Sequence, residues 1–183
     1  YRFQCPQLAA GEFIGFMCGI IGIISYRSPI DQQTLIEMRE TLLHRGPDDS
    51  GVWMRKSGPP FVGFGPRRLS VIDLSDSARQ PMSYDDGNLT IAYNGEIYNY
   101  IELQNELKRL GCQFRTNSDT EVLLAAFYRW GEDCLDRLNG MFAFAIWDER
   151  KRRLFAARDR FGKKPFFYHF KNGQFCFASE MKA

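Results

Sequence analysis

Apolar positions in this chain follow two rhythms, and the switches between them mark its organisation. Cys18-Gly-Ile-Ile-Gly-Ile-Ile-Ser25 is a short apolar run rich in β-branched residues. It predicts a buried strand whose glycines admit a close backbone neighbour. Helical spacing follows: Leu35, Met38 and Leu42 share one face of a helix predicted from Ser28-Pro29 to Leu43. Strands are predicted over 51–55, 61–67 and 69–72, broken by Gly58-Pro59-Pro60, and residues 75–88 are polar enough to predict a surface loop. Another strand, 89–93, ends at Asn94-Gly95. A helix over 100–110 is stopped by Gly111, and Ser118 with Glu121 forms a capping box for a helix to about Trp130, closed by Gly131. The last third predicts strands at 141–148, 154–158, 166–170 and 174–178, with Asn172-Gly173 as a type I′ hairpin turn. A further helix is predicted to begin at Ser179-Glu-Met-Lys-Ala183. Two groups of strands separated by helices imply an α+β layered sandwich, largely antiparallel.

Composition narrows the function classes. The chain has 183 residues, 44% hydrophobic and 25% charged, which is enough for one domain with a core and excludes a disordered or fibrous chain. A net charge of +2 gives no electrostatic footprint for nucleic acid or a membrane surface. The one basic cluster, Arg150-Lys-Arg-Arg153, falls at a predicted turn and reads as a solvated hairpin tip. Phe142, Phe144, Phe166 and Phe167 read as sheet core rather than a base-stacking platform. No apolar run approaches the roughly 18–20 residues of a membrane-spanning helix. The five cysteines form no CxxC pair, so no metal site is expected, and their scatter suits a reducing, cytoplasmic compartment. Residues 1–16 begin with Tyr1 and make a poor signal peptide. They read as an artefact or as a pro-segment.

The reactive candidate is Cys18, directly after Met17. If Met17 starts the chain and is removed, the α-amine and thiol share one residue. An α-amine titrates near 7.7–8.0 against about 10.4 for Lys, so the neutral base costs roughly 3.4 kcal/mol less at pH 7. It can deprotonate the thiol without a histidine. Against this stands the commonest fate of a lone cysteine, a buried apolar position in a strand. Asn94 and Gly95 could supply an amide and a backbone N–H to an oxyanion, or form a plain hairpin turn. Arg68 could grip a carboxylate bidentately or lie on an edge strand facing water. Asp119, in the first turn of a helix, could hold an ammonium or simply complement the helix dipole. A thiol, an oxyanion pair and grips for a carboxylate and an ammonium together describe a site for a free amino acid with a reactive side-chain carbonyl.

Eight motifs occur in order: Met17-Cys-Gly-Ile-Ile-Gly22, His44-Arg-Gly-Pro-Asp48, Arg68-Leu-Ser70, Tyr93-Asn-Gly-Glu-Ile-Tyr-Asn99, Ser118-Asp-Thr-Glu121, Gly140-Met-Phe-Ala-Phe-Ala145, Arg158-Asp-Arg-Phe-Gly162 and Ser179-Glu-Met-Lys-Ala183. In these the chain resembles the N-terminal glutaminase domain, a class II glutamine amidotransferase, of glutamine-hydrolysing asparagine synthetases. The resemblance covers residues 17–183 and leaves 1–16 as an extension outside the family pattern. It implies an N-terminal-nucleophile fold, a four-layer αββα sandwich. By the same resemblance Cys18 attacks the side-chain amide of glutamine, and Asn94 and Gly95 stabilise the oxyanion. Arg68 binds the α-carboxylate, Asp119 and Glu96 bind the α-ammonium, and the backbone of Leu69, Ser70, Val71 and Ile72 lines the pocket. No cofactor is implied in this domain. ATP and Mg belong to a synthetase half whose Ser-Gly-Gly-x-Asp-Ser loop this sequence lacks, so the implied partners are L-glutamine, a C-terminal synthetase domain and a second copy in a homodimer.

The sequence departs from the family in two places. While residues 1–16 remain attached, the Cys18 nitrogen is a non-basic amide and the extension crowds the site, so the chain as written is expected to be inactive. Pro66 stands where many relatives carry His. Two other readings stay open: a non-catalytic glutamine-binding module, and the glutaminase part of a related amidotransferase with another acceptor.

Overall fold

The central strand sets the layering. β1 (Ile21–Ser25) is buried along its whole length, which only a strand covered on both faces can be. Its odd positions, Ile21 and Ile23, pack with Leu35 and Leu42 under α1 (Gln32–Glu40), whereas Ile20 and Ile24 pack with Val62, Phe64 and Phe177 and with Ala92, Ala143, Ala145 and Trp147 of a second sheet. The computed structural model describes residues 18–69 and 79–183. Residues 1–17 and 70–78, with the ends of two predicted segments, lie outside the described residues.

The first sheet has the order β10-β11-β1-β4-β3, formed with β3 (Trp53–Met54), β4 (Phe61–Phe64), β10 (Phe167–Lys171) and β11 (Gln174–Ala178). The second has the order β6-β7-β8-β9, formed by β6 (Met82–Tyr84), β7 (Leu89–Ile97), β8 (Gly140–Asp148) and β9 (Arg153–Arg158). Every pairing is antiparallel. A two-stranded ribbon joins β2 (Asp49–Ser50) to β5 (Arg67–Arg68). α2 (Tyr100–Arg109) and α3 (Asp119–Trp130) cover the outer face of the second sheet, burying Leu103, Leu107, Val122 and Leu123 against Ile91, Tyr93 and Phe144. Helix, sheet, sheet and helices form an αββα sandwich, as the resemblance implied. No helix among the described residues is long and apolar enough to cross a membrane.

Several local expectations shift. α1 starts four residues beyond Ser28, because Asp31 caps it by accepting from the Gln33 and Thr34 N–H groups. The predicted capping box does not form. Ser118 accepts from the Thr120 N–H, but Glu121 turns away and takes the Arg115 and Thr116 N–H groups and the Thr116 hydroxyl. The predicted loop at 75–88 contains β6, and β7 runs through Asn94-Gly95 to Ile97. The hairpin reading of Asn94-Gly95 is thereby excluded, since both pair with β8 opposite Ala143 and Phe142. The turn at Asn172-Gly173 has both φ angles positive, as type I′ requires. Phe142 and Phe144 are core, whereas Phe167 is 42% exposed because β10 is an edge strand with no layer over it.

Candidate active site

Cys18 precedes β1 and is fixed by what flanks it. Gly19 exchanges two backbone hydrogen bonds with Arg67 (2.8 and 2.7 Å), and Ile20 does the same with the Ser179 hydroxyl and N–H (3.0 and 2.8 Å). The thiol therefore lies against Leu69, whose N–H donates to Sγ at 3.3 Å while its carbonyl lies 3.5 Å away. Arg45 Nε donates to the Cys18 carbonyl at 3.3 Å, and Arg45 is itself held by Glu180 at 2.9 Å. His44 reaches the same Glu180 oxygen at 2.9 Å. A side chain at Gly46 would meet the Arg67–Arg68 backbone at 2.5–2.7 Å, so that position must be glycine for the 44–48 loop to lie on β5. Two motifs far apart in sequence thus close around one cysteine.

Arg68 is 9% exposed, so it does not face water, and its charge reaches the Cys18 thiol. Burial pushes that thiol up, and the Leu69 N–H, Arg68 and Lys164 draw it back down, while Asp119 adds to the rise. Cys134 and Cys176 are pushed up by burial with no such opposing cations, Cys134 to about 12. Of Cys18, Cys134 and Cys176, only Cys18 combines a hydrogen bond from an N–H with nearby positive charge.

β7 supplies the opposite wall. By strand alternation Asn94 and Glu96 follow Ala92 onto the face between the sheets, while Tyr93 and Ile97 face the helices. Asn94 is 1% exposed, and its Nδ2 has no hydrogen-bond partner among the described residues. A Cβ at Gly95 would lie 2.5 Å from the Met141 carbonyl oxygen and 2.8 Å from Phe142 Cα, so only glycine fits against β8. Asp119 opens α3 beneath this strand, where one carboxylate oxygen accepts from the Tyr93 hydroxyl (2.7 Å) and the Ile97 N–H (3.0 Å). Burial pushes its carboxyl up, against those bonds and that from the Thr120 N–H, and neighbouring Glu96 adds to the rise. Asp119 and Glu96 are close enough for their charges to interact, which favours a cation near both. Tyr93 is pushed well above the phenol range, first by burial and then by Asp119, so it remains a donor.

Cys18, Arg68, Leu69, Glu96, Tyr93 and Asp119 thus come within electrostatic reach around one end of β7, Glu96 on its inter-sheet face and Tyr93 and Asp119 on its helical face, with Asn94 and Gly95 on the same strand. Ser70, Val71 and Ile72 lie outside the described residues. The sequence reading missed Lys164, which is 4% exposed and close enough to Cys18, Arg45 and Glu96 for their charges to act on it. Its only signal was a lysine two residues beyond the Arg158-Asp-Arg-Phe-Gly162 motif. Gln80 was missed too; it accepts from the Tyr93 N–H at 2.8 Å and holds β7 from the side. Among the described residues no cluster of three or more His, Cys, Asp or Glu could hold a metal ion.

A family model described as a glutamine amidotransferase domain matches residues 17–183. The chain belongs to that family. Among curated relatives of this amidotransferase domain, asparagine synthetase [glutamine-hydrolyzing] 3 of Bacillus subtilis is 50% identical over 171 residues, covering 91% of this chain and 27% of the relative. Amidase chry2 of Gibberella zeae is 38% identical over 182 residues, covering 91% and 26%. The domain therefore spans about a quarter of the length of these relatives. A solved structure of glutamine phosphoribosylpyrophosphate amidotransferase from B. subtilis superposes with a TM-score of 0.73 over 90% of this chain and 42% of that one, at 24% identity. That likeness is one of fold, and it agrees with the αββα sandwich described above.

Proposed function

We propose that this domain hydrolyses L-glutamine to glutamate and ammonia through a thioester on Cys18. Once Cys18 is the first residue, its α-amine takes the thiol proton and Sγ attacks the side-chain carbonyl carbon of glutamine. The negative charge that develops on the carbonyl oxygen is received by the Asn94 amide and the Gly95 N–H. The proton held by the amine passes to the amide nitrogen, the C–N bond breaks, and ammonia leaves. Water then adds to the thioester carbonyl, the C–S bond breaks, and glutamate departs with the thiol restored. Arg68 grips the α-carboxylate, Asp119 with Glu96 grips the α-ammonium, and the Leu69 backbone lines the pocket beside the thiol. No metal or cofactor takes part in these steps.

The observation that carries this reading is the Asn94 amide, buried and without a hydrogen-bond partner among the described residues, on the strand that also brings Tyr93 and Glu96 to the Cys18 site. A buried donor left unpaired costs about 1–3 kcal/mol, a cost that persists where a ligand oxygen completes it. The family and the large share of asparagine synthetase names among the relatives support a synthetase module, using ATP and Mg, as the ammonia consumer, with aspartate as acceptor. A relative 38% identical over this chain is named an amidase, so likeness in this domain does not by itself fix the acceptor. The test is to quench the glutamine-treated protein, with Cys18 as its first residue, in acid and digest it. A glutamyl adduct on the peptide beginning at Cys18 is expected, and its absence during active glutamate release would rule out the covalent route.

A further inference from the structure

The segment that follows the last strand returns to the nucleophile. β11 ends at Ala178, and the next residue, Ser179, is fully buried. Its hydroxyl accepts from the Ile20 N–H at 3.0 Å, and its own N–H donates to the Ile20 carbonyl at 2.8 Å. Glu180 is thereby set beside the 44–48 loop. Its Oε1 accepts from Arg45 Nη1 at 2.9 Å and lies 2.9 Å from His44 Nε2. Lys182 Nζ approaches the other oxygen, Oε2, at 3.2 Å. None of the steps above uses this carboxylate.

The peptide unit between Cys18 and Gly19 is the backbone next to the reacting atoms, and it moves as one plane. Both of its polar ends are held. The Gly19 N–H donates to the Arg67 carbonyl at 2.8 Å, and the Cys18 carbonyl accepts from Arg45 Nε at 3.3 Å. Arg45 is 6% exposed, and its Nη2 has no hydrogen-bond partner among the described residues. The guanidinium is therefore oriented by two bonds, one to Cys18 and one to Glu180. A rigid fork held at two nitrogens keeps its plane, whereas one held at Nε alone can swivel. When Cys18 is the first residue no chain precedes it. Its amine and thiol are then placed by this peptide plane and by the Leu69 backbone at Sγ.

We propose that Glu180 is a positioning residue for the nucleophile, its carboxylate fixing the Arg45 guanidinium that holds the Cys18 carbonyl and so aims the Cys18 amine and thiol. This deepens the glutaminase reading and rests on Cys18 being the nucleophile. The test is a double-mutant cycle of Glu180→Gln and Arg45→Met, read at a temperature where circular dichroism shows each protein folded. In protein whose first residue is Cys18, Glu180→Gln is expected to lower kcat for glutamate release about tenfold with KM within about twofold, because a misplaced nucleophile slows chemistry without loosening the substrate. In the Arg45→Met background the same change should cost less than about twofold, since the group it acts through is gone. The second readout is Cys18 alkylation by iodoacetamide at neutral pH, in the full chain without glutamine, with peptide mass separating Cys18 from the other cysteines. Glu180→Gln should slow it, as Sγ loses alignment with the Leu69 N–H, and should slow it no further once Arg45 is replaced. Glu180→Asp, with its shorter arm, and Arg45→Gln give the same cycle if either first variant does not fold. Unchanged kcat and alkylation in folded Glu180→Gln, or two effects that simply multiply, would overturn the proposal. A protein that releases no glutamate yet keeps the non-multiplying pattern in alkylation would instead retain this role and overturn the glutaminase reading.

Discussion

Asn94 shows what one residue can disclose in a sequence and what it cannot. Asn followed by Gly between apolar segments most often means a tight turn, yet here the pair stays in the ladder opposite Ala143 and Phe142. Their types were legible as an oxyanion pair. Their being in mid-strand was not, because a two-residue pattern does not say whether the next segment folds back. Removing the amide from this buried place leaves the backbone pairing intact. Asn94→Ala is therefore expected to lower kcat about 10²–10³-fold with little change in glutamine KM, measured by steady-state glutamate release. A matching rise in KM with unchanged kcat would assign the side chain to ground-state binding instead.

At the scale of elements, the site is held by pairings between distant segments. Glu180 follows β11, yet it braces Arg45 from the loop after α1, and Arg45 holds the Cys18 carbonyl. Burial opposes the Glu180 charge, but hydrogen bonds from Arg45, His44 and Lys182 outweigh it and hold its carboxyl at about 2. The depressed value means that the brace stabilises the fold fully above about pH 4.5 and loses that contribution as pH falls towards about 2. Glu180→Gln leaves the buried Arg45 guanidinium without its carboxylate and should cost about 1–3 kcal/mol in urea unfolding at neutral pH. The gap between variant and native should narrow through that acid window; a gap independent of pH would mean that packing, not charge, sets it. The motifs containing Arg45 and Glu180 were legible in the sequence as family signatures, but their contact was not, because nothing local encodes a pairing across 135 residues. The same holds for Glu121. Its spacing from Ser118 suits a capping box, and only the returning 115–116 loop, which offers three donors, shows why it turns elsewhere.

For the whole molecule, the order of elements carried most of the fold. Two groups of strands separated by helices implied a layered antiparallel sandwich, and the strands β1, β7 and β8 divide their residues between the inter-sheet and helical layers. Lys164 was hidden because a lysine in a loop reads as solvated until the tertiary fold closes over it. The domain matches about a quarter of the length of its relatives, so ammonia made here is proposed to be consumed by chemistry elsewhere. The account therefore stands first on whether the domain makes ammonia at all. The measurement is glutamate release from L-glutamine by protein whose first residue, verified by mass, is Cys18, set beside the same protein carrying Cys18→Ala. Turnover in the first and none in the second is the predicted result. Glutamate release that survives Cys18→Ala, or glutamine bound by the folded native protein and never hydrolysed, would contradict it.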